Sequence, residues 1–255
     1  MFDILPSYHA AFHSPYPSDR ERVADVTTFI VAGHDTTAYQ VSWIIIEISR
    51  HPDVLQKLRV ELDSLVPSDG SVEFTPQILS KMEYLSMVIK EGMRLWPVAA
   101  SGSNRVLSHD ISYGGYVLPK GATVGTRWKK LENFYQLSVD SYFLGIYNSN
   151  MTIVIGMEIF PMLRMGIREP DDFLPDRWKD GDVDAIKLKE LFIPFSTGRR
   201  GCVGQTLALL EMKLVIATLF CSYDFELISE IEEVYFLTLK PQNANFKISR
   251  RIKEF

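Results

Sequence analysis

Between about Asp19 and Arg50 the chain carries apolar residues at helical spacing: Val23, Val26, Ile30, Val41, Ile44 and Ile48. The pattern predicts one long helix, roughly 45 Å at 1.5 Å per residue, enough to cross a whole domain. His51-Pro52 ends it, and Pro52 takes the favoured first position of the next helix. That helix shows Leu55, Leu58, Leu62 and Leu65 on one face and closes at Pro67-Ser68-Asp69-Gly70. Thr75-Pro76 opens a further helical region with Ile78, Met82, Leu85 and Ile89 as its apolar face, stopped by Trp96-Pro97. Leu207, Leu210, Leu214 and Thr218 mark a last helix. From Asn104 to Val124 the pattern changes to short strands, with turns at Tyr113-Gly114-Gly115-Tyr116 and Pro119-Lys120-Gly121. The tail, Tyr235 to Arg251, alternates enough to predict a small sheet, and Met1 to Arg20 reads as an irregular lead-in. The expected fold class is mainly α with small β-sheet patches.

At 255 residues the chain allows one large domain or two small ones. With 27 basic against 32 acidic residues the net charge is −5, so it lacks the basic footprint of a nucleic-acid binder. Two cysteines, Cys202 and Cys221, do not make a disulfide framework and fit a reducing compartment. Met1 to Ala11 has no basic stretch followed by an apolar one, as a signal peptide needs. The longest apolar stretch, Met151 to Leu163, is interrupted by Glu158 and is short of the ~20 residues of a spanning helix. No bilayer crossing is expected from this chain.

The chemistry concentrates in the loop Phe195-Ser196-Thr197-Gly198-Arg199-Arg200-Gly201-Cys202-Val203-Gly204. A cysteine flanked by glycines just before a helix sits where backbone N–H groups can face its sulfur. Helix N-termini favour anions and hold thiolates. Glycines let the backbone pass close to a flat macrocycle, and Arg200 is placed to meet a carboxylate. A free cysteine is more often a small buried hydrophobe; the length of the motif argues against that here. The loop resembles the signature Phe-x-x-Gly-x-Arg-x-Cys-x-Gly of the cytochrome P450 family at every specified position, with Phe195, Gly198, Arg200, Cys202 and Gly204 filling it. The resemblance implies haem b (iron protoporphyrin IX) with Cys202 as axial ligand of the iron, an arrangement general to P450s.

Within the long helix, Ala32-Gly33-His34-Asp35-Thr36-Thr37 combines residues that are poor in helix interiors. Threonine hydroxyls can bond the i−4 carbonyl and distort the helix, which predicts a notch there; a kink with packing threonines is the plainer reading. The segment is similar to the family's oxygen-activation segment. That implies catalytic roles for Asp35 and Thr36 in steering protons, with Ala32 beside the cofactor and His34 structural rather than a ligand. Glu91 and Arg94 lie at i, i+3 and can pair. They resemble the family's Glu-x-x-Arg pair, buried there and braced by an arginine from a later loop, which implies Arg177 in Phe173-Leu174-Pro175-Asp176-Arg177-Trp178. By the same resemblance Arg105 meets a haem propionate, and Val98 to Ser101 line the substrate side.

The motifs come in family order and identify the chain as the C-terminal part of a cytochrome P450 fold of eukaryotic microsomal type. The resemblance implies a monooxygenase that inserts one atom of dioxygen into a small apolar organic substrate. Electrons would come from an NADPH-dependent flavin reductase at the cytosolic face of the endoplasmic reticulum membrane. Two departures are evident. The family's N-terminal part, with its membrane anchor and much of the pocket, is not in this sequence. And 125–166 does not read like the family, so residues 1–255 are expected to be a partial domain carrying a retained intron or a lineage-specific insertion. The alternatives are a truncated, non-catalytic haem-binding remnant, a thiolate-haem isomerase or dehydratase, and a cofactor-free helical binding protein. The Asp35-Thr36 pair speaks against the second, the Cys202 loop against the third.

Overall fold

In the computed structural model, residues 18–65, 74–99, 104–113, 116–127, 138–139, 142–147, 152–158 and 166–252 are described. The chain divides into two compact units, Met1–Asp35 and Thr36–Phe255. Most of the expected lead-in, 1–17, lies outside the described residues, and its last two residues are already helical.

Helix α1 (Asp19–Arg50) has the predicted span. It runs through Gly33–Thr37 with no interruption of the helix there. Hydroxyl back-bonding does not require one: Ser42 and Ser49 donate to the carbonyls of Ala38 and Ile45 at 2.8 Å within regular helix. The predicted apolar face holds only in part. Val41, Ile44 and Ile48 are buried, whereas Val23, Val26 and Ile30 are more than half exposed; in the first unit no described element covers them.

α2 (Pro52–Leu65) follows, burying Val54, Leu58 and Leu62. The predicted third helix is two, α3 (Pro76–Ser80) and α4 (Glu83–Leu95). Thr75 caps α3 through its hydroxyl, which accepts from Ile78 N. The ladder then tightens, with Lys81 N donating to Ile78 O at 3.0 Å. Helix resumes because the Glu61 carboxylate accepts from Tyr84 N and Leu85 N at 2.6 and 2.9 Å, taking up N–H groups that a helix start leaves free. Lys213 Nζ closes the break from the other side, donating to Leu79 O. Burial there holds the Lys213 pKa below its usual value, against the pull of Glu61.

The last helices are α5 (Val183–Leu191) and α6 (Gln205–Ser222). α6 buries Met212, Ile216, Ala217, Phe220 and Cys221. The residues that mark this helix in the sequence lie outside that buried set: Leu207 is 60% exposed, and Leu210, Leu214 and Thr218 are exposed too. α6 is also long and apolar enough to cross a membrane by composition, a feature the reading of Met151–Leu163 missed. Its buried side packs in the core of the second unit, with Val41, Leu58, Leu85 and Ile89.

Gly92 is where α4 meets α1. A Cβ there would lie 2.4 Å from Ile44 Cγ1. Gly92→Ala is expected to destabilise the fold by about 1–3 kcal/mol through overpacking, more than the roughly 0.5–1 kcal/mol a helix gains from alanine. A melting temperature that rises in the variant would contradict this packing.

The strands are peripheral. β1 (Asn104–Val106), β4 (Thr123–Arg127), β5 (Ser138–Val139), β6 (Tyr142–Tyr147) and β7 (Thr152–Glu158) form one sheet in the order β1-β4-β7-β6-β5. β7 joins β4 in parallel, Thr123 opposite Val154. β2 (Ile111–Tyr113) pairs with β3 (Tyr116–Leu118), flanking the predicted Tyr113–Tyr116 turn, whose central glycines lie outside the described residues. Gly121, at φ 86°, makes the second turn. The tail is two hairpin-like sheets rather than one: β8 (Tyr223–Leu227) with β11 (Phe246–Arg250), and β9 (Glu232–Phe236) with β10 (Thr238–Gln242).

Candidate active site

Phe195 to Gly204 folds into a tight loop against the start of α6. Ser196 N donates to Ile193 O, and Ser196 and Gly198 take positive φ, 61° and 70°. A 3₁₀ turn over Gly198–Arg200 follows, closed by Gly201 N donating to Gly198 O at 3.0 Å. Cys202 N then donates to Phe195 O at 2.9 Å, so the cysteine is tied to the first residue of its own motif. The Cys202 thiol is free and exposed. Gly204 begins α6 with no side-chain cap, which leaves the positive end of the helix to the sulfur. A Cβ on Gly204 would come within 3.9 Å of Cys202 Sγ; its absence keeps that space open. Arg199 and Arg200 are exposed on the same turn.

Phe195 also borders a small, partly open apolar recess. One wall is the α1 face Thr36, Thr37 and Gln40; another is Ala208 and Met212 of α6; Pro97, Val98 and Ala99 form a third. That third wall is fixed by Leu239 N, which donates to Val98 O at 2.9 Å, and by Trp96, stacked on Trp43 with ring centroids 3.8 Å apart. The expected substrate-side residues Ala100 and Ser101 lie outside the described residues. An exposed thiol at a helix start, beside a glycine turn, two arginines and an apolar recess, suits a flat apolar macrocycle with anionic edge groups. Among the described residues no cluster of three or more His, Cys, Asp or Glu could hold a metal ion.

The remaining predicted residues are placed as follows. Ala32 is exposed on α1, and Asp35, half-exposed, accepts at Oδ1 from His34 Nδ1 at 2.8 Å. His34 is thus an exposed partner of Asp35, not a packed residue. Arg105 is exposed on β1.

Glu91, Arg94 and Arg177 are brought together, all fully buried. Arg94 Nε and Nη2 each donate to the Glu91 carboxylate at 2.8 Å, a two-point pair. Arg177 Nε donates to Glu91 Oε1 at 2.8 Å. The sequence reading missed the fourth member: Asp184 on α5 accepts from Arg177 Nη1 at 2.9 Å. Two carboxylates therefore face two guanidiniums, a neutral set, and burial is tolerable only in such balance. Trp178 Nε1 and Leu174 N also donate to Glu91. Asp184 could be suspected only from its Asp182-Val183-Asp184 context near Arg177. Arg168 bonds both of those acids. The hydrogen bond from Asp184 N holds the Asp182 pKa below the usual carboxylate value, with Arg168 adding to it against burial.

Comparison with known proteins decides the family. The Cytochrome P450 family profile matches residues 11–132 and 168–248. The chain belongs to the cytochrome P450 family. It is similar to cytochrome P450 3A19 of Capra hircus aegagrus, 32% identical over 205 residues, covering 80% of this chain and 79% of that sequence. It is likewise similar to cytochrome P450 3A28 of Bos taurus, 32% identical, covering 82% of this chain but 35% of that protein. The match thus spans about a third of the length of cytochrome P450 3A28. A solved cytochrome P450 structure has the same fold, with a TM-score of 0.69 at 24% identity, covering 89% of this chain and 44% of that one. P450 membership implies a haem cofactor and, in general, monooxygenase chemistry with dioxygen and a redox partner. The stretch the P450 profile leaves unmatched, 133–167, contains β5, β6 and β7, which extend the sheet beyond β4.

Proposed function

We propose that this chain is the haem-bearing part of a haem-thiolate monooxygenase, with 125–166 as an insertion in it. The Cys202 loop carries the reading: a free, exposed thiol at an uncapped helix start, tied to Phe195 beside an apolar recess. Haem b held there supplies dioxygen activation and insertion of one oxygen atom into a substrate C–H bond. Cys202 would provide the thiolate ligand to its iron; Phe195, Gly198 and Gly204 would border it; Arg200 and Arg105 would meet its carboxylates. Thr36 holds a proton at its hydroxyl, with Asp35 as the neighbouring acid. The substrate is a small apolar organic molecule. An NADPH-dependent flavin reductase delivers the electrons at the cytosolic face of the endoplasmic reticulum. Glu91, Arg94, Arg177 and Asp184 brace the core and take no part in the chemistry.

The test is the reduced carbon monoxide difference spectrum of the purified chain given haem. A thiolate-type band supports the assignment; failure to take up haem would leave a non-catalytic remnant. Thr36→Ala in the holoenzyme is expected to preserve that band while diverting electrons from product to hydrogen peroxide. The ratio of peroxide formed to NADPH consumed reads this out, and an unchanged ratio removes Thr36 from the proton route.

A further inference from the structure

At the end of α6 away from Cys202, the start of β8 and the end of β11 meet α2 along an open groove. It is lined by Arg59, Asp224, Ser249, Arg250, Arg251 and Ile252. Three guanidiniums thus gather in one place on a chain whose net charge is −5. Two of them have structural duties. Arg59 Nη2 donates to Tyr223 O, just beyond α6, and pairs with the Asp224 carboxylate. Arg251 donates to both oxygens of Asp63, from Nη1 at 3.0 Å and Nη2 at 2.5 Å, and its backbone N donates to Ser222 O. Cations are favourable at a helix C-terminus, so bracing and capping account for both.

They do not account for Arg250. It is exposed, opposite Tyr223 in the β8–β11 ladder, and its side chain has no ion pair or hydrogen bond among the described residues. The hydroxyl of Ser249, opposite Asp224 in that ladder, is equally unpartnered there. Against Asp63 and Asp224 the three arginines leave one positive charge unneutralised. The two carboxylates hold Arg59 and Arg251 in place without using all five N–H donors of either guanidinium. Guanidiniums fixed in this way suit phosphate, which takes charge-assisted hydrogen bonds from several directions at once. We infer that the groove binds a phosphate monoester, contacted by Arg250 and Ser249 between the braced Arg59 and Arg251. Ile252, 86% exposed at the rim, offers an apolar surface to the organic part of the ester. That chemistry is shared by soluble aryl or alkyl phosphates and by the head group of a phosphatidic acid.

The test titrates the full chain with phenyl phosphate and with benzoate by calorimetry, and floats it with phosphatidylcholine vesicles with and without phosphatidic acid. Phenyl phosphate is expected to bind more tightly than benzoate, its single-charged counterpart. Arg250→Ala should weaken phosphate binding about tenfold or more at an unchanged melting temperature, because the side chain it removes is exposed and unpaired. Arg20→Ala, at an exposed arginine of α1, should leave binding as it was. Binding of phenyl phosphate assigns the groove to a soluble ester; binding only to the phosphatidic acid vesicles, lost in Arg250→Ala, assigns it to a lipid head group. Binding to neither, benzoate as tight as phenyl phosphate, or an equal loss in Arg20→Ala overturns the proposal. The groove lies at the far end of α6 from Cys202, so these outcomes are read independently of the thiolate-type band.

Discussion

Glu91→Ala is expected to destabilise the second unit by about 3–5 kcal/mol, the range for removing one partner of a buried charge pair. The Glu91 carboxylate accepts from Arg94 Nε and Nη2, Arg177 Nε, Trp178 Nε1 and Leu174 N. Removing it strands two buried guanidiniums, of which Arg177 keeps Asp184 as a carboxylate partner. A surface pair at the same i, i+3 spacing is worth only about 0–1 kcal/mol. Whole domains are stable by about 5–15 kcal/mol, so the variant is expected to be unfolded or nearly so at growth temperature. Urea unfolding followed by circular dichroism measures it. A loss near 1 kcal/mol would show that the pair behaves as a solvated one. Arg94 has further anchors on the carbonyls of Pro170 and Asp172, so Glu91→Gln, which keeps the shape and loses the charge, should recover part of the loss.

The sequence pattern located elements better than faces or partners. α1 and α2 have the predicted spans because their ends are written locally, in His51-Pro52 and in the leucine spacing. The α3–α4 break was not legible, since Glu61 and Lys213, which make it, come from other helices. The buried face of α6 was not legible, because apolar residues lie on both its buried and its exposed sides, and contact with α2 and α4 selects Met212 and Ile216 for burial. The Phe195–Gly204 loop was legible because glycine placement and a helix start are local constraints. Glu91 and Arg94 were legible as a pair one turn apart. Asp184 was not, because nothing in its own neighbourhood shows that Arg177 reaches it.

Cys202→Ala is expected to abolish the thiolate-type band in the reduced carbon monoxide spectrum while leaving the fold intact. The loop is held by backbone contacts that alanine retains, Cys202 N to Phe195 O and Gly201 N to Gly198 O. The side chain is exposed, and exposed substitutions away from caps and networks usually change stability by less than about 0.5 kcal/mol. Loss of the band can then be assigned to the sulfur rather than to unfolding. The other cysteine cannot take its place. Cys221 is buried near the far end of α6, roughly 24 Å along the axis from the first residue of that helix at 1.5 Å per residue. Glu91→Ala and Cys202→Ala therefore separate: the first should lower the melting temperature sharply, the second should erase the spectral signature at nearly unchanged melting. A thiolate-type band that survives in Cys202→Ala would remove this cysteine as the ligand, and with it the proposed haem-thiolate chemistry of the chain.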